Sequence, residues 1–140
     1  MRIDRDLIKR RTLEIRKALG ELRSLSSQGR DNLISDPNLI DAAKYKLLVA
    51  IEASLSICNH IAARLEKKIP ESYSDCFIIL GREEVISEEL SERLANMAKF
   101  RNMLVHIYWE IDDEMIFNII KENLEDLEEF LEAVNNYDRI

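Results

Sequence analysis

Arg101, Asn102, His106 and Tyr108 fall within eight residues, Arg101-Asn102-Met103-Leu104-Val105-His106-Ile107-Tyr108. Arginine carries a permanent cation in a planar fork that matches two phosphate oxygens. Histidine takes and returns a proton near neutral pH. Side by side, the two suit phosphate chemistry. Cutting RNA without a metal needs a base for the ribose 2′-hydroxyl, a cation for the pentacoordinate phosphate and an acid for the leaving 5′-oxygen. His106 has the chemistry of base or acid, and Arg101 that of the cation. One histidine does not easily fill both proton roles in a single step, and the chain has only two. His60, mid-helix among apolar neighbours, reads as a satisfied core histidine. A second His106 from a two-fold partner is the simplest source of the missing group. The motif therefore points to a homodimer with its site at the interface. The spacing alone is a weak signal, because an arginine near a helix end also caps carbonyls or pairs with acids.

The positioning elements come next. If the helix is unbroken, Arg101 and Tyr108 share a face and His106 lies roughly 140° away. If the chain extends after Leu104, His106 and Tyr108 point the same way. The spacing does not choose between them. Upstream, Ile3, Leu7, Ile15, Ala18, Leu22 and Leu25 predict a helix over about 3–27, and Ser24 to Asn32, with Gly29, a break. Asp36-Pro37 opens a second helix to about Lys68, apolar on more than one face and so central. Pro70 stops it. Ser72 to Leu80 forms a short helix ended by Gly81, and Ser87 caps the next, which kinks or ends near Val105 to Trp109. Asp112-Asp113-Glu114 opens one final helix with a stripe from Ile116 to Val134. These elements predict an all-α single domain over residues 1–140, an antiparallel bundle of four main helices plus one or two short ones.

Composition narrows the classes further. With three glycines and two prolines, many hairpins are excluded. No apolar run approaches 18 residues and the N-terminus lacks a signal core, so the expected location is the cytoplasm, with no membrane partner. Cys58 and Cys76 then read as buried thiols, and Cys58-Asn59-His60 lacks the further ligands of a zinc site. The net charge of −7 argues against general nucleic-acid affinity. Its distribution is uneven. Residues 1–30 hold nine Lys/Arg against four Asp/Glu, and residues 110–140 hold two against eleven. Two readings fit: charge complementarity between the first and last helices, or a basic strip that approaches RNA phosphates.

Arg101, Asn102, His106 and Tyr108 stand in the Arg-x4-His-x-Tyr register of the HEPN superfamily, and the chain resembles its HepT-like ribonuclease toxins. Pro70-Glu71-Ser72-Tyr73, the Phe77 to Gly81 segment, Leu94 to Phe100 and Tyr108-Trp109-Glu110-Ile111-Asp112 resemble the family's flanking pattern. The likeness covers most of residues 35–132. It implies an all-α homodimer with the two motifs facing across a cleft, and a metal-independent endoribonuclease without a cofactor. Arg101 and His106 would be catalytic, and Asn102 and Tyr108 supporting. It also implies a partner, a minimal nucleotidyltransferase antitoxin that transfers AMP to Tyr108. Ile107 stands where many relatives carry an acidic residue. The alternative is an inactive HEPN module that serves as nucleotidyltransferase partner or nucleotide-binding subunit.

Overall fold

Asp4 sets the start of the first helix by accepting a hydrogen bond from the Leu7 amide at 3.1 Å, one of the donors a helix start leaves unpaired. The computed structural model describes residues 3–66 and 70–137. In it, α1 spans Arg5–Ser26 and buries Ile8, Ile15, Ala18, Leu19 and Leu22. The expected break is a short turn in which Gly29 takes a φ of 92°, a left-handed value that glycine adopts without a Cβ penalty. It is shorter than the sequence suggested, because α2 (Arg30–Ser35) begins at once and buries Leu33. Asp36 caps α3 (Pro37–Glu66) by accepting from the Asn38 amide at 2.9 Å. The end expected near Lys68 lies outside the described residues.

Helix α3 is the core helix. Ala43, Leu47, Ala50, Ile51, Leu55, Ile57, Cys58 and Ile61 are all buried. Although polar residues interrupt every apolar run, α3 contains a stretch that is on average apolar enough, by length and composition, to cross a bilayer. Just over half of that stretch, 56%, is buried inside the protein, as in a central helix of a bundle.

After α3 come α4 (Tyr73–Arg82), α5 (Glu88–His106), a 3₁₀ turn (Tyr108–Glu110), α6 (Asp113–Glu122) and α7 (Leu124–Asn136). The all-α expectation holds, with no strand among the described residues. Side-chain bonds give the directions. Asp4 meets His60 and Arg11 meets Ser56, so α1 runs antiparallel to α3. Arg101 meets Glu52 and Tyr108 meets Asp41, so the α5 end and the turn after it also run against α3. Ser74 donates to Ala95 and Ser91 to Phe77, which makes α4 and α5 an antiparallel hairpin.

Two sequence expectations change. Gly81 does not end α4, which continues to Arg82; the left-handed residue is Glu84, at a φ of 60°. Gly81 instead lets two helices touch, since a Cβ there would lie 2.6 Å from Ser91 Cβ. The final helix is also two helices, broken at Asn123, whose amide still bonds Ile119 at 2.8 Å while its carbonyl accepts from Asp126. Because α6 packs on α1, α2 and α3 while α7 packs on α5 and α1, one straight helix could not cover both surfaces. The core closes where Phe130 meets Phe77 edge to face, 5.7 Å between ring centres. The charge asymmetry is used between helices: Arg23 bonds Glu125 and Glu128, and Arg16 lies 3.9 Å from Glu128.

Candidate active site

Helix α5 stays intact through His106, so its last turn and a half carries Arg101, Asn102 and His106. Asn102 and His106, four apart, are neighbours on one face, while Arg101 leans toward α3. The helix ends at Ile107, whose φ of −134° and ψ of 44° are not helical. The Ile107 amide donates back to Met103 at 2.9 Å, and its carbonyl accepts from Glu110 at 2.8 Å, opening the 3₁₀ turn. Neither geometry left open by the sequence is what forms. The helical register holds as far as His106, and the break then carries Tyr108 away from Arg101.

Arg101, Asn102 and His106 line one cleft of about 810 Å³ together with Asn59 and Ala63 of α3 and the Pro70–Tyr73 segment. The Arg101 side chain is only 12% exposed, so its position is set by what surrounds it. Its Nε–H donates to Glu52, its Nη1–H donates to Asn102 Oδ1 at 3.1 Å, and its guanidinium lies 4.5 Å from the centre of the Tyr73 ring. An arginine has five N–H donors in a rigid fork. Two have partners among the described residues, and Arg101 lines the cleft, where the others can meet an anion. Glu52 and Tyr73 fix the cation before any ligand arrives, which lowers the ordering cost of binding. His106 is exposed at the cleft edge, where a substrate proton can reach it.

Tyr108 does not line this cleft. Its hydroxyl donates to Asp41 Oδ1 at 3.0 Å, and the buried Lys44 places its ammonium 4.7 Å from the ring centre while pairing with Asp113 at 3.1 Å. Asp41 and Glu52 are eleven residues apart, about 16 Å along α3, so the two ends of the motif rest on different parts of that helix. Burial, then the bond to Asp41, raise the Tyr108 pKa above the ordinary phenol value.

His60 is half-buried, not in the core. It accepts from the Asp4 amide through Nε2 at 2.8 Å, which requires the neutral ring. Burial, then Arg64, lower its pKa. It helps hold the start of α1 and does not line the cleft, so it supplies no second proton carrier there. Cys58 and Cys76 are free and buried. Among the described residues, no three His, Cys, Asp or Glu groups converge as a metal site. Sequence reasoning missed Glu52, Tyr73, Asp41 and Lys44. Glu52 had a signal, as a charged residue inside the most apolar part of α3.

Comparison with known proteins places the chain in a family. The family described as ribonuclease HepT-like matches residues 15–134. An mRNA nuclease HepT from Shewanella oneidensis is 28% identical over 129 residues, 92% of this chain and 96% of the relative. A tRNA nuclease HepT from Aphanizomenon flos-aquae is 26% identical over 133 residues, 94% of this chain and 89% of the relative. A solved structure of a tri-AMPylated Shewanella oneidensis HEPN toxin in complex with an MNT antitoxin superposes with a TM-score of 0.86, at 27% identity, covering 94% of this chain and 98% of that one. With the motif, the helix order and the match over most of its length in agreement, this chain belongs to the ribonuclease HepT-like family, the RNA-cleaving group its motif resembles.

Proposed function

We propose that this chain is the toxin of a toxin–antitoxin module, a cytoplasmic endoribonuclease that cuts RNA without a metal at a site shared by two copies. The observation that carries the reading is the cleft itself. It holds Arg101, Asn102 and His106 together, with the guanidinium braced by Glu52 and Tyr73. His106 takes the 2′-hydroxyl proton as the 2′-oxygen attacks phosphorus, and Arg101 carries the charge that develops on the phosphate oxygens. His106 of a second copy returns a proton to the departing 5′-oxygen. The products are a 2′,3′-cyclic phosphate and a 5′-hydroxyl.

The surface supports the two-fold arrangement. Tyr45, Tyr73, Val105, Tyr108 and Trp109 are five of the eight exposed large hydrophobics among the described residues, and all lie on or beside the motif's supports. Trp109 is 78% exposed, an unusual state for the chain's single tryptophan unless another surface covers it. In the same reading, a nucleotidyltransferase antitoxin neutralises the toxin by transferring AMP to Tyr108, which stands apart from the cleft and is partly open to solvent. The adduct adds a bulky anion to the exposed surface beside the motif, where it would repel RNA phosphates and obstruct a second copy.

Purified protein incubated with total tRNA and with an mRNA fragment, in excess chelator, is expected to yield fragments ending in 2′,3′-cyclic phosphate. Arg101→Ala and His106→Ala are expected to leave the RNA whole while the protein elutes as a dimer. Intact RNA at high wild-type concentration would instead make the chain a non-cleaving partner of the transferase.

A further inference from the structure

The contacts of Tyr108 are more specific than a half-exposed surface tyrosine requires. Its hydroxyl proton is already committed to a carboxylate, Asp41, at 3.0 Å. Asp41 is exposed on the second turn of α3, so neither it nor the hydroxyl is walled off from a partner. One turn on, Lys44 sits against the ring face and is itself held by Asp113 from α6. Asp41, Lys44 and Asp113 are the charged groups that act on the phenol from the elements packed around it. None of them belongs to the Arg101 cleft.

A phenol attacks phosphorus well only as it loses its proton. With an ordinary pKa of about 10, only about one tyrosine in a thousand is ionised at pH 7. Here burial and the neighbouring carboxylate hold the proton more firmly still. A nucleophile in that state needs a base in contact with the proton as the bond forms.

We propose that Asp41 is the general base that activates Tyr108 for nucleotidyl transfer, so that the toxin supplies a catalytic group for its own inactivation. The inference rests on Tyr108 being the acceptor of AMP. In the step, Tyr108 Oη attacks the α-phosphorus of the nucleoside triphosphate carried by the transferase. The Oη–P bond forms, the bond from that phosphorus to the β-phosphate oxygen breaks, and pyrophosphate leaves. The hydroxyl proton passes to Asp41 and then to water. Lys44, fixed by Asp113, faces the ring on which negative charge grows and favours it electrostatically. Once Oη carries a phosphodiester it has no proton to donate, and its charge repels Asp41.

The test uses Asp41→Asn, which keeps an oxygen to accept the hydrogen bond but is no base. Wild type and variant are incubated with the module's nucleotidyltransferase and radiolabelled ATP, and the labelled residue is mapped. Asp41→Asn is expected to slow labelling of Tyr108 by about 100-fold, the scale of one general base. Its rate is expected to climb with pH between about 6.5 and 8.5 as solvent base takes over, while the wild-type rate stays level. Asp41→Glu should recover part of the rate. RNA cleavage by Asp41→Asn should match wild type, which shows that the fold is intact. In a second arm, an adenosine-bearing aryl sulfonyl fluoride reads the nucleophilicity of Tyr108 with no transferase present, and the same ordering is expected. Labelling of the Asp41→Asn variant at the wild-type rate and pH profile would overturn the role of Asp41. Labelling of wild type elsewhere than Tyr108, or equally of Tyr108→Phe, would overturn the acceptor assignment instead, and the inference with it.

Discussion

Replacing Arg101 by alanine separates catalysis from stability, and the structure sets both magnitudes. In the cleft the guanidinium presents its other N–H groups to the reacting phosphate, and hydrogen bonds from a charged donor contribute about 1.5–3 kcal/mol each. Losing the share of two such bonds that grows in the transition state, about 3–4 kcal/mol, lowers the cleavage rate by about 10²–10³-fold. The folding cost is much smaller. Arg101 gives up its pair with Glu52, which is 45% exposed, and such pairs contribute no more than about 1 kcal/mol. It also gives up the stacking on Tyr73, about 0.5–1 kcal/mol. Together these amount to roughly 1–2 kcal/mol, or about 3–8 °C in Tm for a domain of this size. Single-turnover cleavage of a labelled RNA, run beside thermal melts, measures both. Arg101→Lys keeps the charge but not the fork, and is expected to recover only about tenfold of the loss. The reasoning is refuted if Arg101→Ala cleaves within about fivefold of wild type, or if its lost activity returns on cooling in step with refolding.

Glu52→Gln keeps an oxygen to hold the guanidinium but removes the anion that shares Arg101, so binding of a non-cleavable oligonucleotide is expected to tighten a few-fold with a steeper salt dependence; weaker binding would show that the carboxylate charge, not its hydrogen bond alone, is needed to position Arg101. Gly81→Ala drives a methyl group to within 2.6 Å of Ser91 Cβ, and urea unfolding should show a loss of about 1–3 kcal/mol that a second change, Ser91→Gly, partly restores. His60 has a folded pKa below the ordinary value of 6.5, so the unfolded chain binds more protons and stability falls as pH drops from about 6.5 toward the folded value. Melts from pH 7 to about 5, above the carboxylate range, should show that decline, and His60→Gln should flatten it.

The sequence determined the local facts because they depend on neighbours in the chain. Asp4, Asp36, Ser72, Ser87 and Asp112 cap the helices that follow them, since each supplies an oxygen to an amide two or three residues on. The apolar positions of α3 mark it as the central helix, and Arg101, Asn102 and His106 share a helix end because their spacing lies within two turns. Other features depended on surfaces that meet only after folding. A glycine read as a helix stop proved to be a contact point, because Ser91 arrives from another helix. One acidic final helix became two, because its halves cover different neighbours. The Ile107 break carries Tyr108 from the cleft to Asp41, sixty-seven residues earlier in the chain. Glu52 of α3 and Tyr73 of α4 meet Arg101 of α5 only once the three helices pack. Periodicity reports which face of a helix is apolar, but it carries no record of which charged side chain will stand opposite. That pairing, and with it the division of the motif into a cleft and a separate tyrosine, was decided by tertiary packing.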